Sequence, residues 1–129
     1  MPHRVLGIID RTYRGAVESQ FFDPLYGFLD MREQLGAVDI VLRGLAVTLA
    51  VQEQEYSTEL DLGAVRLDTL PDYRGVVRDL VGAGMTVTAD EPDLRGLGFT
   101  GADLLPGVAC ADTNQLARTW PRYDKVWFV

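Results

Sequence analysis

Cys110 is the only thiol in the sequence and His3 the only imidazole, so nucleophilic chemistry has few places to start. A reactive thiol needs its thiolate stabilised by a cation or a helix N-terminus. Cys110 instead lies in the small apolar stretch Val108-Ala-Cys-Ala111, with Asp112 beside it opposing ionisation. It reads first as a buried structural residue and second as a catalytic candidate. His3 precedes the first apolar run, the only serines are Ser19 and Ser57, and no Gly-x-Ser-x-Gly occurs, so a hydrolase triad has no support. No Cys/His cluster has metal-ligand spacing, so no metal and no cofactor is expected.

Two charged clusters remain. Asp10-Arg-Thr-Tyr-Arg-Gly15 places Arg11, Tyr13 and Arg14 in one turn-rich stretch; paired guanidinium groups suit a carboxylate or a sulfur oxyanion, or they are simply solvated. Asp90, Glu91 and Asp93 crowd a second stretch. A general acid/base pair there requires one raised pKa; a solvated helix N-terminus, favoured by the macrodipole, accounts for the same residues. Gly96-Leu-Gly98-Phe-Thr-Gly101 matches Gly-x-Gly-x-x-Gly. It follows a short helix rather than a strand, so it reads as a loop and not as a dinucleotide fingerprint.

The elements that must position these residues follow from apolar patterning. Arg4–Ile9 and Val38–Leu42 are short continuous apolar runs, which read as buried strands. Further strands are expected at Met85–Thr88, Val108–Ala111 and Lys125–Val129. A first helical segment fits Ala16–Phe22. Asp23-Pro24 then has the pattern of an N-cap and first turn, with a break or bend near Asp23. Leu25, Phe28, Leu29 and Leu35 form the stripe of that helix, and Gly36 stops it. The Arg43-Gly44 turn opens a helix over 45–54 with Leu45, Ala46 and Leu49 inward. Residues 55–69 lack a period and read as a loop, with a short strand or turn at Val65-Leu67. Pro71-Asp72 opens a helix striped by Val76, Val77, Leu80 and Val81, ended by Gly82 and Gly84. A polar helix runs from Asn114 to Trp120.

Strands alternating with helices predict a three-layer α/β fold: a mainly parallel five-stranded sheet with helices on both faces. Such sheets bind ligands beyond the strand C-terminal ends. That places a cleft among Asp10, Arg11, Tyr13, Arg14, Arg43, Gly44, Thr88, Asp90 and Glu91. At 129 residues the chain suits one domain over 1–129. Its net charge of −7 repels phosphate backbones, which argues against nucleic acid. No apolar run approaches the roughly 20 residues that span a bilayer, and the N-terminus lacks the apolar core of a secretory signal, so the cytoplasm is the expected compartment. Trp120, Pro121, Tyr123 and Trp127 make the last segment aromatic; either they complete the core or they form an association surface.

Three stretches carry a resemblance to a known family: Leu42-Arg-Gly-Leu-Ala-Val-Thr-Leu-Ala50; Leu80-Val-Gly-Ala-Gly-Met-Thr-Val-Thr88 with Leu94-Arg-Gly96; and Leu104-Leu-Pro-Gly-Val108 through Leu116-Ala117 to Asp124-Lys-Val126. In order and spacing the chain resembles the DsrE/DsrF-like proteins, small α/β subunits of sulfur relay and sulfur oxidation. The resemblance implies assembly into trimers, hexamers or hetero-oligomers. It also implies a sulfur-carrying cysteine at the end of the third sheet strand, at or beside Thr88. This chain has Thr88-Ala89-Asp90 there, and a threonine hydroxyl cannot hold a persulfide. The expectation is therefore a DsrE-like subunit or small-ligand or partner-binding module without the sulfur carrier. The alternative is a sulfurtransferase that uses Cys110 or a partner's thiol.

Overall fold

The computed structural model describes residues 4–10, 24–52, 60–67 and 73–129. Strand β1 (Arg4–Ile9) lies beside β2 (Ala37–Leu42). Between them come helices α1 (Pro24–Asp30) and α2 (Arg32–Leu35), interrupted at Met31 and closed by Gly36. A 3-10 helix, Gly44–Ala50, follows β2, then a two-stranded antiparallel hairpin, β3 (Leu60–Asp61) with β4 (Arg66–Leu67). Helix α3 (Tyr73–Gly82) leads into β5 (Thr86–Asp90), and α4 (Glu91–Gly96) springs from its end. A 3-10 turn (Gly101–Asp103), β6 (Ala109–Ala111), α5 (Thr113–Thr119), a 3-10 turn (Trp120–Arg122) and β7 (Lys125–Phe128) complete the chain. The sheet runs β6-β5-β2-β1-β7, and all five strands are parallel. The helical segment expected over 16–22, the N-cap expected at Asp23 and the helix opening expected at Pro71-Asp72 lie outside the described residues.

The register sorts side chains by face, because successive residues of a strand point to opposite sides. On one face Val5, Ile9, Val38, Ile40, Leu42, Val87 and Ala89 are buried against Leu25, Phe28, Ala46, Leu49, Val77, Leu80 and Leu94. On the other, Leu6, Ile8 and Val41 are covered by Leu116, Trp120, Tyr123 and Val126. Helices therefore lie on both faces, but the second layer is thin. Gly7 is a close-approach glycine: a Cβ there would come within 2.6 Å of the Phe28 ring and 3.2 Å of Ile40.

The segment after β2 differs from its expected form. It is a seven-residue 3-10 helix that ends at Ala50. Val51 turns extended and bridges Leu104, while the Leu105 N–H donates to the Ala50 carbonyl at 2.8 Å. This tie stops the helix short of Gln54. The tighter winding also turns Leu45 out to solvent and buries Ala46, Val47, Leu49 and Ala50 instead. Within the stretch read as a loop, Leu60–Leu67 closes as a hairpin, with the Leu62 N–H donating to the Val65 carbonyl at 2.8 Å.

A polar knot ties the N-terminal ends of the central strands to the second layer. The Tyr123 hydroxyl donates to Asp39 at 2.6 Å, and Arg4 reaches the same carboxylate at 3.5 Å while its guanidinium stacks 4.9 Å from the Tyr123 ring. Burial, then the bond and the charge of Asp39, push the Tyr123 phenol up from 10.0 to about 12. An unfolded chain loses that proton near pH 10 and the folded chain near 12, so in between the unfolded state binds fewer protons and stability falls as pH rises. Thermal melts across that range should drop faster for the parent protein than for Tyr123→Phe, in which this proton is absent. Equal slopes would mean the phenol ionises normally.

Candidate functional site

β1, β2, β5 and β6 bring their C-terminal ends to one edge of the sheet, and the polar residues there form a chain of contacts. Arg43 follows β2 and donates its N–H to the Ile9 carbonyl at 2.9 Å, which holds it beside the end of β1. Its guanidinium pairs with Asp10 at 3.3 Å and lies 5.4 Å from the Phe128 ring centroid, both groups half-buried at the mouth of the edge. Gly44 adopts φ +56°, in the left-handed region, and a Cβ would press on the Asp10 carbonyl at 3.3 Å. Glycine here lets the backbone turn so that the Gly44 N–H donates to Asp93 at 2.7 Å.

Asp93 in turn donates its N–H to the Asp90 carboxylate at 3.3 Å, and the other oxygen of Asp90 accepts from the Thr113 hydroxyl at 2.7 Å. Asp90 is thus the N-cap of α4 and the link between β5 and α5. It is only 1% exposed, which corrects its reading as part of a solvated helix end. Both of its oxygens are engaged by donors, as is one oxygen of Asp93. The arrangement is that of structural caps rather than a carboxylate pair sharing a proton. Glu91 leans away to Arg95, four residues on, at 3.4 Å.

Of the residues expected to line a cleft, Asp10, Arg43, Gly44 and Asp90 are brought together at this edge. Thr88 lies one pleat deeper, 9% exposed, on the second face of the sheet. Arg11, Tyr13 and Arg14, like His3, lie outside the described residues. Asp93 and Thr113 were absent from the expected lining. Asp93 had a local signal, standing three residues after an N-cap aspartate. Thr113 had none, since it reaches Asp90 only through the pairing of β5 with β6, where Asp90 lies beside Ala111.

Cys110 is exposed rather than buried. β6 is an edge strand of three residues, so it lacks the cover that an inner strand would give. In register Cys110 lies beside Ala89, one strand over from the end of β5. Partial burial first, then the charges of Glu91 and Asp90, raise its pKa above 9.0, with Arg95 acting the other way. The shift disfavours the thiolate, the form that a nucleophile needs. Among the described residues no group of three His, Cys, Asp or Glu side chains could hold a metal ion, and no helix is long and apolar enough to cross a membrane.

This all-parallel, five-stranded layered fold is one that solved proteins share. YchN from Escherichia coli matches over 98% of this chain and 99% of its own, with a TM-score of 0.75 and 20% identity. A protein of unknown function from Methanobacterium thermoautotrophicum matches over 98% and 99%, with a TM-score of 0.67 and 22% identity. Another, from Bacteroides thetaiotaomicron, matches over 97% and 94%, with a TM-score of 0.63 and 14% identity. No family model and no curated protein matches the sequence. At these identities the likeness is one of fold.

Proposed function

We propose that the chain is a single DsrE-like domain of the sulfur-relay type that has lost the sulfur-carrying position. It works as a subunit, in a homo- or hetero-oligomer, that binds a small ligand or partner at the strand C-terminal edge. The observation that carries this reading is the end of β5. Thr88, Ala89 and Asp90 offer no sulfur there, all three are buried, and Asp90 is tied down on both oxygens. What remains open at the edge is the half-exposed Asp10–Arg43 pair, and Arg43 is the group suited to an anion.

Intact mass after treatment with a persulfide donor tests the reading. The expected result is no stably held sulfur that passes to an acceptor thiol. Sulfite and thiosulfate, by contrast, should raise the melting temperature of the parent protein and not of Arg43→Gln. A second reading, sulfur transfer through Cys110, has its exposure in its favour. A gain of one sulfur that is handed on, and that vanishes in Cys110→Ala, would replace the first reading with the second.

A further inference from the structure

Helix α2 is a single turn, closed by Gly36 at φ 86°, and the chain leaves it directly for β2. The start of β7 stays open beside it. The parallel register sets Lys125 beside Val5 and Trp127 beside Gly7, so Lys125 and Trp127 face the same side of the sheet as Val5 and Phe28. Between α2 and β7 lies a cleft of about 120 Å³, lined by Val5, Gln34, Leu35, Asp124, Lys125 and Trp127. It sits at the N-terminal ends of β1 and β7, the opposite end of the sheet from Asp10 and Arg43.

The lining divides into an apolar part and a polar part. Val5 is buried and Leu35 packs on the core, and together they make an apolar floor. Trp127 is the wall: the Phe28 ring backs it at 6.3 Å between centroids, and the residue remains 36% exposed. Two polar groups are free to take a ligand. The Lys125 ammonium has no carboxylate partner among the described residues. It stands 5.8 Å from the Trp127 ring centroid, near the outer limit of a cation–π contact, and its flexible stem can turn it onto an anion. The Gln34 side-chain amide makes no hydrogen bond among the described residues. Asp124 is the lining residue that would repel an anion, and its carboxylate is already turned onto the Arg4 backbone N–H at 2.7 Å.

A mostly apolar cleft with a few placed polar groups is the usual form of a small-molecule site. Here a cation and an amide donor stand over an apolar floor and an indole wall. That arrangement fits a flat apolar body carrying one carboxylate. Size limits the body, since an apolar cavity of about 150 Å³ takes up benzene. We propose that the cleft between α2 and β7 binds a small carboxylate anion whose apolar body is no larger than one ring. The body lies against Trp127 over Val5 and Leu35, and the carboxylate accepts from the Lys125 ammonium and the Gln34 amide. The site is separate from the Arg43 edge, and its failure would leave the reading of that edge untouched.

Benzoate titrated against nitrogen-15-labelled protein tests it, read at the two tryptophan indole N–H resonances and assigned with Trp127→Phe. The Trp127 resonance should shift saturably below about 10 mM, a range open to a ligand of this size. The Trp120 resonance should stay in place, because Trp120 covers the other face of the sheet. Benzamide, of the same shape without the charge, should bind at least about tenfold more weakly. Lys125→Met should erase that preference. Gln34→Glu, a change at an exposed position, should abolish benzoate binding by placing a second carboxylate in the cleft, with thermal melts as a check on folding. Arg43→Gln should titrate as the parent does, and sulfite, which has no apolar body, should leave Trp127 unmoved. The proposal is overturned if the Trp127 resonance does not respond to benzoate, if benzamide binds as tightly, or if folded Gln34→Glu titrates like the parent. Loss of binding in Arg43→Gln but not in Lys125→Met would also overturn it and would assign the carboxylate to the other end of the sheet.

Discussion

Asp90→Ala should lower stability by about 2 kcal/mol, seen as a fall of about 8 °C in melting temperature. Asp90→Asn should cost less than about 1 kcal/mol. Asp90 is buried, caps α4 through the Asp93 N–H and accepts from the Thr113 hydroxyl. Removing a helix cap costs about 1 kcal/mol, and stranding a donor that has lost its acceptor adds roughly as much. Thr113 is itself exposed, so water can satisfy part of its loss, which keeps the sum near the lower end. Asparagine retains one acceptor oxygen for the cap, and the threonine hydroxyl can rotate to accept from the new amide. A charged catalytic carboxylate would behave otherwise, losing as much with asparagine as with alanine in any assay of function. Equal melting temperatures for the alanine variant and the parent would show that Asp90 does not join β5 to α4 and α5.

Gly7→Val should be strongly destabilising, costing roughly 3 kcal/mol, at the upper end of what overpacking a core produces. Even a methyl at this position meets the Phe28 ring at 2.6 and 2.8 Å and Ile40 at 3.2 Å. Phe28 cannot swing clear, because it is buried in the core and the Trp127 ring also lies close, 6.3 Å away between centroids. The strain therefore passes from β1 through α1 to the β7 edge. Chemical denaturation followed by tryptophan fluorescence should show an earlier midpoint and altered native emission from Trp127. A variant as stable as the parent, with unchanged emission, would mean that α1 does not press on the sheet at Gly7.

Much of the architecture was legible from local pattern. Continuous apolar runs marked β1 and β2, the stripe from Leu25 to Leu35 and Gly36 marked one helix that the structure breaks at Met31 into α1 and α2, and the strand–helix alternation implied a parallel sheet covered on both faces. The errors fell where distant contacts overrule local preference. Leu45 has the spacing of an inward residue, but the bridge from Val51 to Leu104 draws the chain into a 3-10 helix that faces it outward. Cys110 has the small apolar neighbours of a buried thiol, but its strand lies at the edge of the sheet.

The site divides in the same way. By itself the sequence determined that sulfur chemistry has one thiol to draw on, that Thr88-Ala89-Asp90 holds no sulfur, and that the net charge is negative. These are matters of which atoms the chain contains. Only the tertiary structure decided that Asp90 is sealed and doubly bonded, that Arg43 is held between Asp10 and Phe128, and that the aromatic end of the chain is half core and half open edge. Burial and hydrogen bonding depend on which strands lie side by side, and strand order is settled by packing across the whole sheet, not by the residues on either side of a given position.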